Sequence, residues 1–368
     1  MDTEKTNRQI RDLLTGRPVL VTGADGFIGS HLVETLIGYG ANVHVFVRAA
    51  SSGTLHNIGH LREQIVVHRG DLTDKQALTV ALRALKSDGG KALIFHLGAQ
   101  AHVGESWNRP YETIATNVLG TINLLHSIVD LDMDIFRLDT AGSSEEYGNV
   151  INETRDHYRF DESGGLILDE TSPVNPQSVY ATSKVAADWL TRNFFRSYGV
   201  PTVVTRMFNN YGPRQSPRFV TGTIITQALS RDCVRLGYVD SKRDFCYVQD
   251  GVMGHINVAL FGASGCMYVY GYGSTISIRD WCQMILRIGE ETGTWGPKNM
   301  TSQTPGRDRL GRSEVEELRV DHTRLSELTG WTPKVSWEEG LRCAIQWYAS
   351  HREQWITRVD WDVKKGVA

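Results

Sequence analysis

Three evenly spaced glycines follow a short β-branched run near the start of the chain. Residues 18–22, Pro-Val-Leu-Val-Thr, have the pattern of a buried strand, and residues 30–39 have the apolar spacing of a helix. A strand that passes through a glycine turn into a helix presents backbone N–H groups to an anion, and side chains on the glycines would hold a pyrophosphate away. The pattern therefore predicts a dinucleotide site. Its turn consists of Gly23, Gly26, Phe27, Ile28 and Gly29.

The end of the second predicted strand indicates which dinucleotide binds. That strand covers residues 42–47 and is followed by Arg48, Ser51 and Ser52. An acidic residue at this place accepts hydrogen bonds from a ribose 2′-hydroxyl, whereas an arginine suits a 2′-phosphate. We therefore expect NADP as the cofactor. NAD would remain usable if Arg48 only stacked on adenine or lay in solvent.

Two further strand ends complete the predicted cofactor crevice. Residues 65–68 lead to Asp71 and Leu72, and residues 92–96 lead to Leu97 and Ala99. The carboxyl ends of parallel strands line the cofactor crevice, so we expect Asp71 near the adenine and Ala99 near the nicotinamide. An aspartate after a strand is also a common turn residue. His96 has no partner at metal-ligand spacing, so we expect it in the core and predict no metal site.

These strands and helices predict an α/β protein with a Rossmann-type, doubly wound parallel sheet and a smaller α/β C-terminal lobe that binds substrate. The chain has 368 residues, enough for both parts. We expect a polar N-terminal extension at residues 1–17 and an NAD(P)-binding domain with the catalytic residues at 18–210. Residues 211–368 would form mainly the substrate lobe, interleaved with the first domain.

Charge and cysteine usage restrict the partners and the compartment. The formal net charge is −3 without a basic tract, which argues against nucleic acid as a partner. No apolar run approaches the ~20 residues of a membrane span, and residues 1–17 do not have the pattern of a signal peptide. The 5 cysteines are widely spaced and in no metal-ligand pattern, which indicates reduced thiols. We therefore expect a cytoplasmic protein with no membrane partner.

Two stretches in the middle of the chain carry the predicted chemistry. Tyr180 and Lys184 are four apart, which on a helix places phenol and ammonium on one face, one turn apart. A phenol titrates near pH ~10, and a nearby cation favours its phenolate, so the pair can take a hydroxyl proton. The other stretch supplies Ser143, Ser144 and Glu145. Simple oxidation of an alcohol does not require a carboxylate at this position, so Glu145 indicates a further chemical step.

A long polar segment, residues 149–176, separates the two stretches. Its length predicts either a loop over the site or a surface insertion. Residues 116–129 and 180–198 have helical apolar spacing, and either helix could pack across a dimer axis.

By these motifs the chain resembles the extended short-chain dehydrogenase/reductases that act on nucleotide sugars, over residues 18–350. Besides the glycine turn and the Tyr180/Lys184 pair, the similarity lies in residues 208–214, 243–245 with Asp250, 313–315 and 330–333. Glu145 stands where the 4,6-dehydratases of this family have a glutamate and the 4-epimerases usually have a small residue or threonine. Ser144 resembles the serine of GDP-mannose 4,6-dehydratases, and residues 211–216, 223–227 and 307–309 are similar to the dehydratases of UDP- or GDP-N-acetylglucosamine. Ala141 and Gly142 depart from the commoner serine- and threonine-rich lead-in.

The resemblance implies a 4,6-dehydratase mechanism. Tyr180, helped by Lys184 and by a hydrogen bond from Ser143, takes the C4 hydroxyl proton while hydride passes to the nicotinamide. Glu145 removes the C5 proton, the C6 hydroxyl leaves as water, and the hydride returns to C6. A serine is too weak an acid to protonate the leaving hydroxyl, so Ser144 would orient Glu145 or a water. The product is a 4-keto-6-deoxy sugar nucleotide, and the cofactor stays bound and is recycled.

The resemblance also implies the residues that hold the substrate. Asn210 and Arg243 match positions that contact the diphosphate or the nucleotide. Arg309 competes for a similar role with Arg307 and Arg312. An arginine suits this task because its planar fork pairs with two phosphate oxygens. A homodimer is the family expectation.

Three alternatives remain open at this point. A UDP-glucuronate decarboxylase would carry a similar hydroxyl-hydroxyl-glutamate stretch and work through the same 4-keto intermediate. A 4-epimerase or another reductase is the second alternative. A nucleotide-sensing binding protein would bind cofactor without turnover. The identity of the nucleotide, among GDP, UDP, CDP and dTDP, also remains open.

Overall fold

The structure is a computed structural model, and it describes residues 3–49, 54–304, 309, 313–359 and 361. The strands within this part of the chain are β1 (Pro18–Thr22), β2 (Asn42–Val47), β3 (Ile65–Arg69), β4 (Ala92–His96), β5 (Ile135–Ala141), β6 (Arg159–Phe160), β7 (Leu166–Ile167), β8 (Thr202–Met207), β9 (Asn209–Tyr211), β10 (Cys233–Arg235), β11 (Lys242–Arg243), β12 (Phe245–Tyr247), β13 (Met267–Tyr270), β14 (Ile276–Ser277), β15 (Asn299–Thr301) and β16 (Glu317–Leu318).

The α-helices in the same residues are α1 (Thr3–Leu14), α2 (Phe27–Gly38), α3 (Lys75–Ser87), α4 (Val103–Asn108), α5 (Pro110–Ile114), α6 (Gly120–Asp130), α7 (Val179–Tyr198), α8 (Val220–Ser230), α9 (Val248–Phe261), α10 (Ile278–Glu291), α11 (Thr323–Thr329), α12 (Trp337–Ser350) and α13 (Arg352–Trp355). Among these helices, none combines the length and apolar composition that crossing a bilayer requires.

Seven strands form the central sheet in the order β3-β2-β1-β4-β5-β8-β13, and every neighbouring pair is parallel. The chain therefore starts in the middle of the sheet and runs to one edge before it returns to the other. This is the predicted doubly wound arrangement. The strand order reverses between β1 and β4, where such sheets open a crevice at their carboxyl ends.

Helices cover both faces of the sheet. On one face α1, α2 and α9 pack over the strands through a core that includes Leu32, Val33, Val252 and Ile256. On the other face α3, α6 and α7 pack through leucines and Phe194. Because both faces are covered, β1 and β4 are buried along their whole length, which explains their unbroken apolar sequence.

The N-terminal extension packs into the sheet core, and elements from beyond residue 210 return to the central sheet. Residues 3–14 form α1, and its Ile10 and Leu14 are fully buried in the core. The last sheet strand, β13, and helix α9 come from beyond residue 210, so the two parts of the chain are interleaved. The remaining C-terminal elements form a separate core around Trp281, Tyr348 and Trp355.

The helix that precedes β5 contains a turn of π-helix. Residues Ala115–Leu119 join α5 to α6 in this conformation. Inside the turn Asn117 accepts a hydrogen bond from the Gln100 backbone at 2.8 Å and donates to the Ser183 hydroxyl at 2.9 Å. Asn117 thereby connects the segment after β4 to α7, the helix of Tyr180. Single π turns of this kind often occur at functional sites.

The segment 149–176 is an ordered structure and not an open loop. Its β6 and β7 form an antiparallel hairpin, and Leu168 bridges to Val320. Arg159 donates to Asp169 at 2.7 Å and to Asp321 at 2.9 Å. The segment is therefore docked on residues 314–321, which makes it a support for that part of the C-terminal lobe.

Candidate active site

The glycine turn between β1 and α2 leaves no room for side chains. Gly23 has φ +69°, and a Cβ there would lie 2.8 Å from the backbone of Gly98. A Cβ on Gly29 would lie 2.2 Å from the Gly23 carbonyl oxygen. Gly26 caps α2 without a side-chain hydrogen bond, so the N-terminal N–H groups of α2 are not capped by it. A dinucleotide pyrophosphate fits this cradle.

Asp25, within the same turn, organises the next loop. Its carboxylate accepts hydrogen bonds from the backbone of His56 at 2.9 Å, Asn57 at 2.7 Å and Ile58 at 3.2 Å. Arg48 follows β2 directly, as predicted, and its side chain is 65% exposed with Nε 3.8 Å from Asp71 Oδ2. Ser51 and Ser52 lie outside the described residues.

The other predicted cofactor residues occupy the ends of β3 and β4. The Asp71 carboxylate accepts hydrogen bonds from the Thr73 backbone and hydroxyl at 2.9 and 2.7 Å, and these bonds hold its pKa below the ordinary value. Leu72 is buried against Gly98 and Gly120, so its side chain supports the crevice floor. Leu97 and Ala99 flank Gly98, whose N–H donates to the Thr22 hydroxyl at 3.0 Å.

His96 is a core residue, as expected from the sequence. It is 3% exposed, with Nδ1 2.8 Å from the Thr22 hydroxyl and Nε2 3.0 Å from the Thr121 hydroxyl. Burial lowers its pKa to about 3, so the imidazole is neutral at physiological pH. It connects β1, β4 and α6 beneath the crevice.

Tyr180 and Lys184 lie on the first turns of α7, where Ser178 caps the helix by accepting from the Ala181 N–H at 3.0 Å. Both side chains are buried. The Lys184 ammonium donates to the Ala141 carbonyl at 2.6 Å, and burial lowers its pKa to about 8 against the opposing charge of Glu146. The predicted pair is thus placed one turn apart on one helix.

The electrostatics of Tyr180 correct one part of the expectation. Burial raises the pKa of Tyr180 well above its ordinary value, and a hydrogen bond with Ser143 lowers it only in part. The negative charges of Glu145 and Glu146 raise it further. Lys184 is not among the groups that shift the pKa of Tyr180, and its ammonium donates to the Ala141 carbonyl at 2.6 Å. Tyr180 is therefore a protonated phenol here.

The strand β5 ends in a short 3₁₀ turn that carries the predicted catalytic residues. The Ser143 N–H donates to Glu146 Oε1 at 2.8 Å, and the Glu145 N–H donates to the Ser143 hydroxyl at 3.3 Å. The Ser143 side chain also lowers the pKa of Tyr180, so Ser143 lies near both the phenol and the turn that holds Glu145. Ser144 is buried in the turn, and its hydroxyl forms no hydrogen bond with another described residue.

A buried charge network that the sequence interpretation missed lies under this turn. Arg206 Nε lies 2.8 Å from Glu146 Oε2 and donates to Asp188 Oδ2 at 2.9 Å. Burial raises the pKa of Glu146 to about 7 against the opposing charge of Arg206. A Cβ on Gly142 would lie 2.8 Å from both Arg206 Cγ and Glu146 Oε1, so this pair requires the glycine that departs from the usual lead-in.

Four charged side chains alternate in sign on the lobe side of the crevice. Arg309 donates through two nitrogens to the two oxygens of Glu145, at 2.8 and 3.0 Å, and its Nε lies 3.4 Å from Glu314. Arg243 donates to the other oxygen of Glu314 at 3.0 Å. Burial pushes the pKa of Glu145 upward, but Arg309 and Arg243 outweigh it and leave the pKa below the ordinary value. We call these four residues the charge chain.

Of the other predicted substrate residues, the structure describes only Asn210. Arg307 and Arg312 lie outside the described residues. The amide of Asn210 donates to the Phe208 carbonyl at 3.0 Å and to the Tyr270 hydroxyl at 3.3 Å, and its buried Oδ1 has no partner among the described residues. Glu314 was not singled out as a site residue. Its position is set by Asn149, which donates to the Glu314 carbonyl at 2.7 Å and accepts from the Glu316 N–H at 2.9 Å.

A seven-stranded parallel sheet, a glycine cradle at its first turn and a buried Tyr-Lys pair beside a strand-end glutamate define an extended short-chain dehydrogenase/reductase. Comparison with known proteins agrees. Residues 20–344 match the family described as GDP-mannose 4,6 dehydratase. The dTDP-glucose 4,6-dehydratase of Streptomyces griseus is 32% identical over 92% of this chain and 95% of its own length. The dTDP-glucose 4,6-dehydratase 1 of Escherichia coli K12 is 29% identical over 93% of this chain and 95% of its own length.

Solved structures show the same relationship. DesIV, a dTDP-glucose 4,6-dehydratase of Streptomyces venezuelae solved with NAD and TYD bound, superimposes with a TM-score of 0.78 at 26% identity, covering 93% of this chain and 99% of that one. The chain belongs to the nucleotide-sugar 4,6-dehydratase family of extended short-chain dehydrogenases/reductases, and its activity is that of a hydro-lyase. Epimerases share the fold, but the sequence relatives favour dehydration over epimerisation or decarboxylation.

Proposed function

We propose that the protein converts a nucleotide-activated hexose to its 4-keto-6-deoxy derivative with Tyr180 and Glu145 as the two proton-transfer groups. The single observation that carries this assignment is the position of Ser143. Its hydroxyl accepts from the Glu145 N–H at 3.3 Å, and its side chain lowers the pKa of Tyr180, so Ser143 lies beside both groups. Tyr180 receives the C4 hydroxyl proton once it has lost its own, and Glu145 removes the C5 proton and passes it to the leaving C6 hydroxyl. When hydride returns to C6, C5 takes up a proton from solvent.

The remaining residues of the site support these two. Lys184 supplies a cation within the buried site, and its hydrogen bond to Ala141 holds it beside the end of β5. Ser144 orients Glu145 or a water. A bound nicotinamide dinucleotide supplies the acceptor for the C4 hydride and its later return to C6. The glycine cradle of Gly23, Gly26 and Gly29 holds its pyrophosphate.

We infer NADP as the preferred cofactor. Arg48 is exposed at the end of β2, and among the described residues its one acidic partner is the partly exposed Asp71, 3.8 Å away. Such a guanidinium suits a 2′-phosphate better than a neutral ribose. Extraction of the cofactor from purified protein tests this, because finding only NAD would reverse the assignment.

We propose that residues 211–368, apart from the elements that return to the central sheet, form the substrate lobe. Arg243 and Arg309 bind the diphosphate, since both guanidinium groups lie beside Glu145 and can pair with phosphate oxygens. Asn210 contacts the nucleotide through its unpartnered amide oxygen or, failing that, supports the lobe through Tyr270.

The substrate is identified by mass spectrometry of the enzyme incubated with GDP-, UDP-, CDP- and dTDP-sugars, without added reductant. dTDP-glucose is tested first, because the relatives that span more than nine-tenths of this chain are named for it. Loss of one water from one substrate is the expected result. Loss of carbon dioxide from UDP-glucuronate, or no change in any mass, would contradict the proposal.

We also propose a homodimer in the cytoplasm. Bulky apolar side chains on and around α4, α5 and α7 face solvent, namely Trp107, Tyr111, Ile114, Leu119 and Trp189. Tyr111 is 90% exposed, which is unusual for a surface that stays uncovered. The five cysteines are all free, as in a reducing compartment. Light scattering of the wild-type protein and of a Tyr111→Arg variant tests the dimer, since only the variant should be monomeric.

A further inference from the structure

Glu145, the residue that must act as a base, is covered on both oxygens by one arginine. The two Arg309 nitrogens reach its two oxygens at 2.8 and 3.0 Å, and the glutamate is otherwise buried. A carboxylate removes a carbon-bound proton through an oxygen that points at it without a competing donor. The pair as it stands is therefore not arranged for C5 proton removal, and Arg309 has to move before the reaction can proceed.

Arg309 is placed to move. Its side chain is 25% exposed, whereas that of Arg243 is 5% exposed and is also tied to the Lys242 carbonyl at 2.9 Å. Within the described residues, the partners of Arg309 are the carboxylates of Glu145 and Glu314. Both contacts are charge-assisted, and a phosphate group offers an arginine the same forked geometry.

We propose that Arg309 is an exchangeable counter-ion: it covers Glu145 in the substrate-free enzyme, and the substrate diphosphate draws it away so that Glu145 becomes a base only when substrate is bound. This inference rests on the proposed function. The diphosphate carries two negative charges, so it can take the place of the Glu145 carboxylate as the anionic partner of Arg309. The enzyme thereby avoids a buried, uncompensated carboxylate until a substrate is present.

Glu314 keeps Arg309 within reach during the exchange. It contacts Arg309 Nε at 3.4 Å, on the side away from the two nitrogens that hold Glu145. Asn149 fixes the Glu314 backbone from the hairpin segment, and Arg243 holds its other oxygen at 3.0 Å. The guanidinium can thus rotate from Glu145 toward a phosphate while its Nε side remains anchored.

The movement of Arg309 also changes the pKa of Glu145. The charged groups that face Glu145 are Arg309 and Arg243, and the Tyr180 phenol lies close enough to feel its charge. Burial alone raises the pKa of this carboxylate, and Arg309 is the strongest opposing influence. When Arg309 leaves, the pKa of Glu145 rises. At mildly acidic pH, between the lower and the higher pKa, binding therefore takes up a proton at Glu145.

Calorimetric titration of the holoenzyme measures this uptake. The probe is the phenyl diphosphate ester of the nucleoside that the substrate panel identifies. It carries the diphosphate but has no sugar hydroxyl to oxidise and no group that ionises near neutral pH. Titrations at mildly acidic pH in two buffers of different ionisation enthalpy give the number of protons taken up per site.

We expect the wild type to take up a substantial fraction of one proton and Glu145→Gln to take up none. Arg309→Gln should bind the ester about 10-fold or more weakly and without proton uptake, because its Glu145 is uncovered from the start. Glu314→Gln should retain the uptake. Equal uptake in the wild type and Glu145→Gln, with clear binding in both, would overturn the exchange and leave the proposed function intact. If no sugar nucleotide is dehydrated in the panel, the proposed function itself fails.

Discussion

The Glu146 carboxylate lies 2.8 Å from Arg206 Nε in the fully buried layer beneath the catalytic turn. The same guanidinium also holds Asp188, so one arginine serves two carboxylates. Its hydrogen bond from Nε is directed to Asp188. Within the part of the chain that the structure describes, Glu146 Oε2 therefore has an ion-pair contact but no hydrogen bond. Burial is therefore the largest influence on the pKa of Glu146 and raises it.

We predict that Glu146→Gln changes the pH dependence of stability. The pKa of Glu146 is raised to about 7 from an ordinary value of 4.5, so folding binds a proton between these values. Its stabilising contribution is complete below pH 4.5 and is lost as pH rises through 7. The variant has no carboxyl group at this position, so its stability does not fall over this pH range for this reason. The difference in unfolding free energy, variant minus wild type, should therefore increase by about 1–3 kcal/mol from pH 5 to pH 8.

Thermal melts at the two pH values measure this difference, with Glu153→Gln on the surface as the matched control. An unchanged difference between Glu146→Gln and wild type would contradict the prediction. Because Glu146 also raises the pKa of Lys184, the alkaline limb of kcat/KM should move to lower pH in the variant. A limb that stayed in place would remove Glu146 from the control of Lys184.

Gly142→Ala should destabilise the protein. The new methyl group would lie 2.8 Å from both Arg206 and Glu146, and neither side chain can withdraw from the buried pair without loss. We expect about 1–3 kcal/mol lower stability, measured by urea unfolding. Gly296→Ala is the control, because nothing lies within 4 Å of the added atom. Equal midpoints for the two variants would show that the pair has room to shift.

Glu145→Gln should separate oxidation at C4 from elimination. The variant retains Tyr180 and can form the 4-keto sugar, but it has no base for the C5 proton. We expect dehydration to fall by about 10²–10⁴-fold. Deuterium incorporation at C5 from heavy water, followed by mass spectrometry, should be abolished. Wild-type levels of incorporation would assign the C5 proton to another residue.

Tyr180→Phe should abolish the first step instead. Without the phenol no group receives the C4 proton, so reduced cofactor should not form on mixing with substrate, and kcat should fall by about 10²–10⁴-fold. Tyr268→Phe is the matched control. It loses a buried hydrogen bond from the Ala263 N–H at 2.9 Å and should cost about 1–3 kcal/mol of stability while activity persists. Formation of reduced cofactor by the Tyr180 variant would refute the role.

Arg48→Ala should alter cofactor selection. If Arg48 binds a 2′-phosphate, its removal weakens NADP binding by about 10–100-fold and leaves NAD binding nearly unchanged. Fluorescence titration of cofactor-stripped protein with both dinucleotides measures the ratio. Arg83→Ala, an exposed arginine on α3, is the control. Equal losses for the two dinucleotides would mean that Arg48 contacts adenine or nothing.

Local sequence patterns predicted those features of the fold that depend on residues close together in the sequence. The glycine turn predicted the cradle, and a spacing of four placed Tyr180 and Lys184 on one face of α7. The apolar runs predicted β1 to β4, and β1 and β4 are buried along their whole length because both sheet faces are covered. A signal in α1 was overlooked, since Ile10, Leu13 and Leu14 have helical spacing within a polar composition.

Features that depend on distant pairs could not be predicted in this way. Glu146 and Arg206 are 60 residues apart in sequence. Their contact depends on the register of β5 against β8, which no local pattern specifies. An arginine inside the buried strand β8 was nevertheless a signal that a buried acid lies nearby. The hairpin in 149–176 was missed because its strands have only two residues each, too few to show alternation.

The central sheet receives its last strand, β13, only after the chain has passed through β9 to β12 and α9. During synthesis the N-terminal strands leave the ribosome first, yet β8 has an unpaired edge until residue 270 has emerged. The nascent chain must therefore carry an open sheet edge while the first elements of the lobe are made, and such edges are prone to wrong pairing. Chaperone dependence of this protein should be concentrated in that interval of translation.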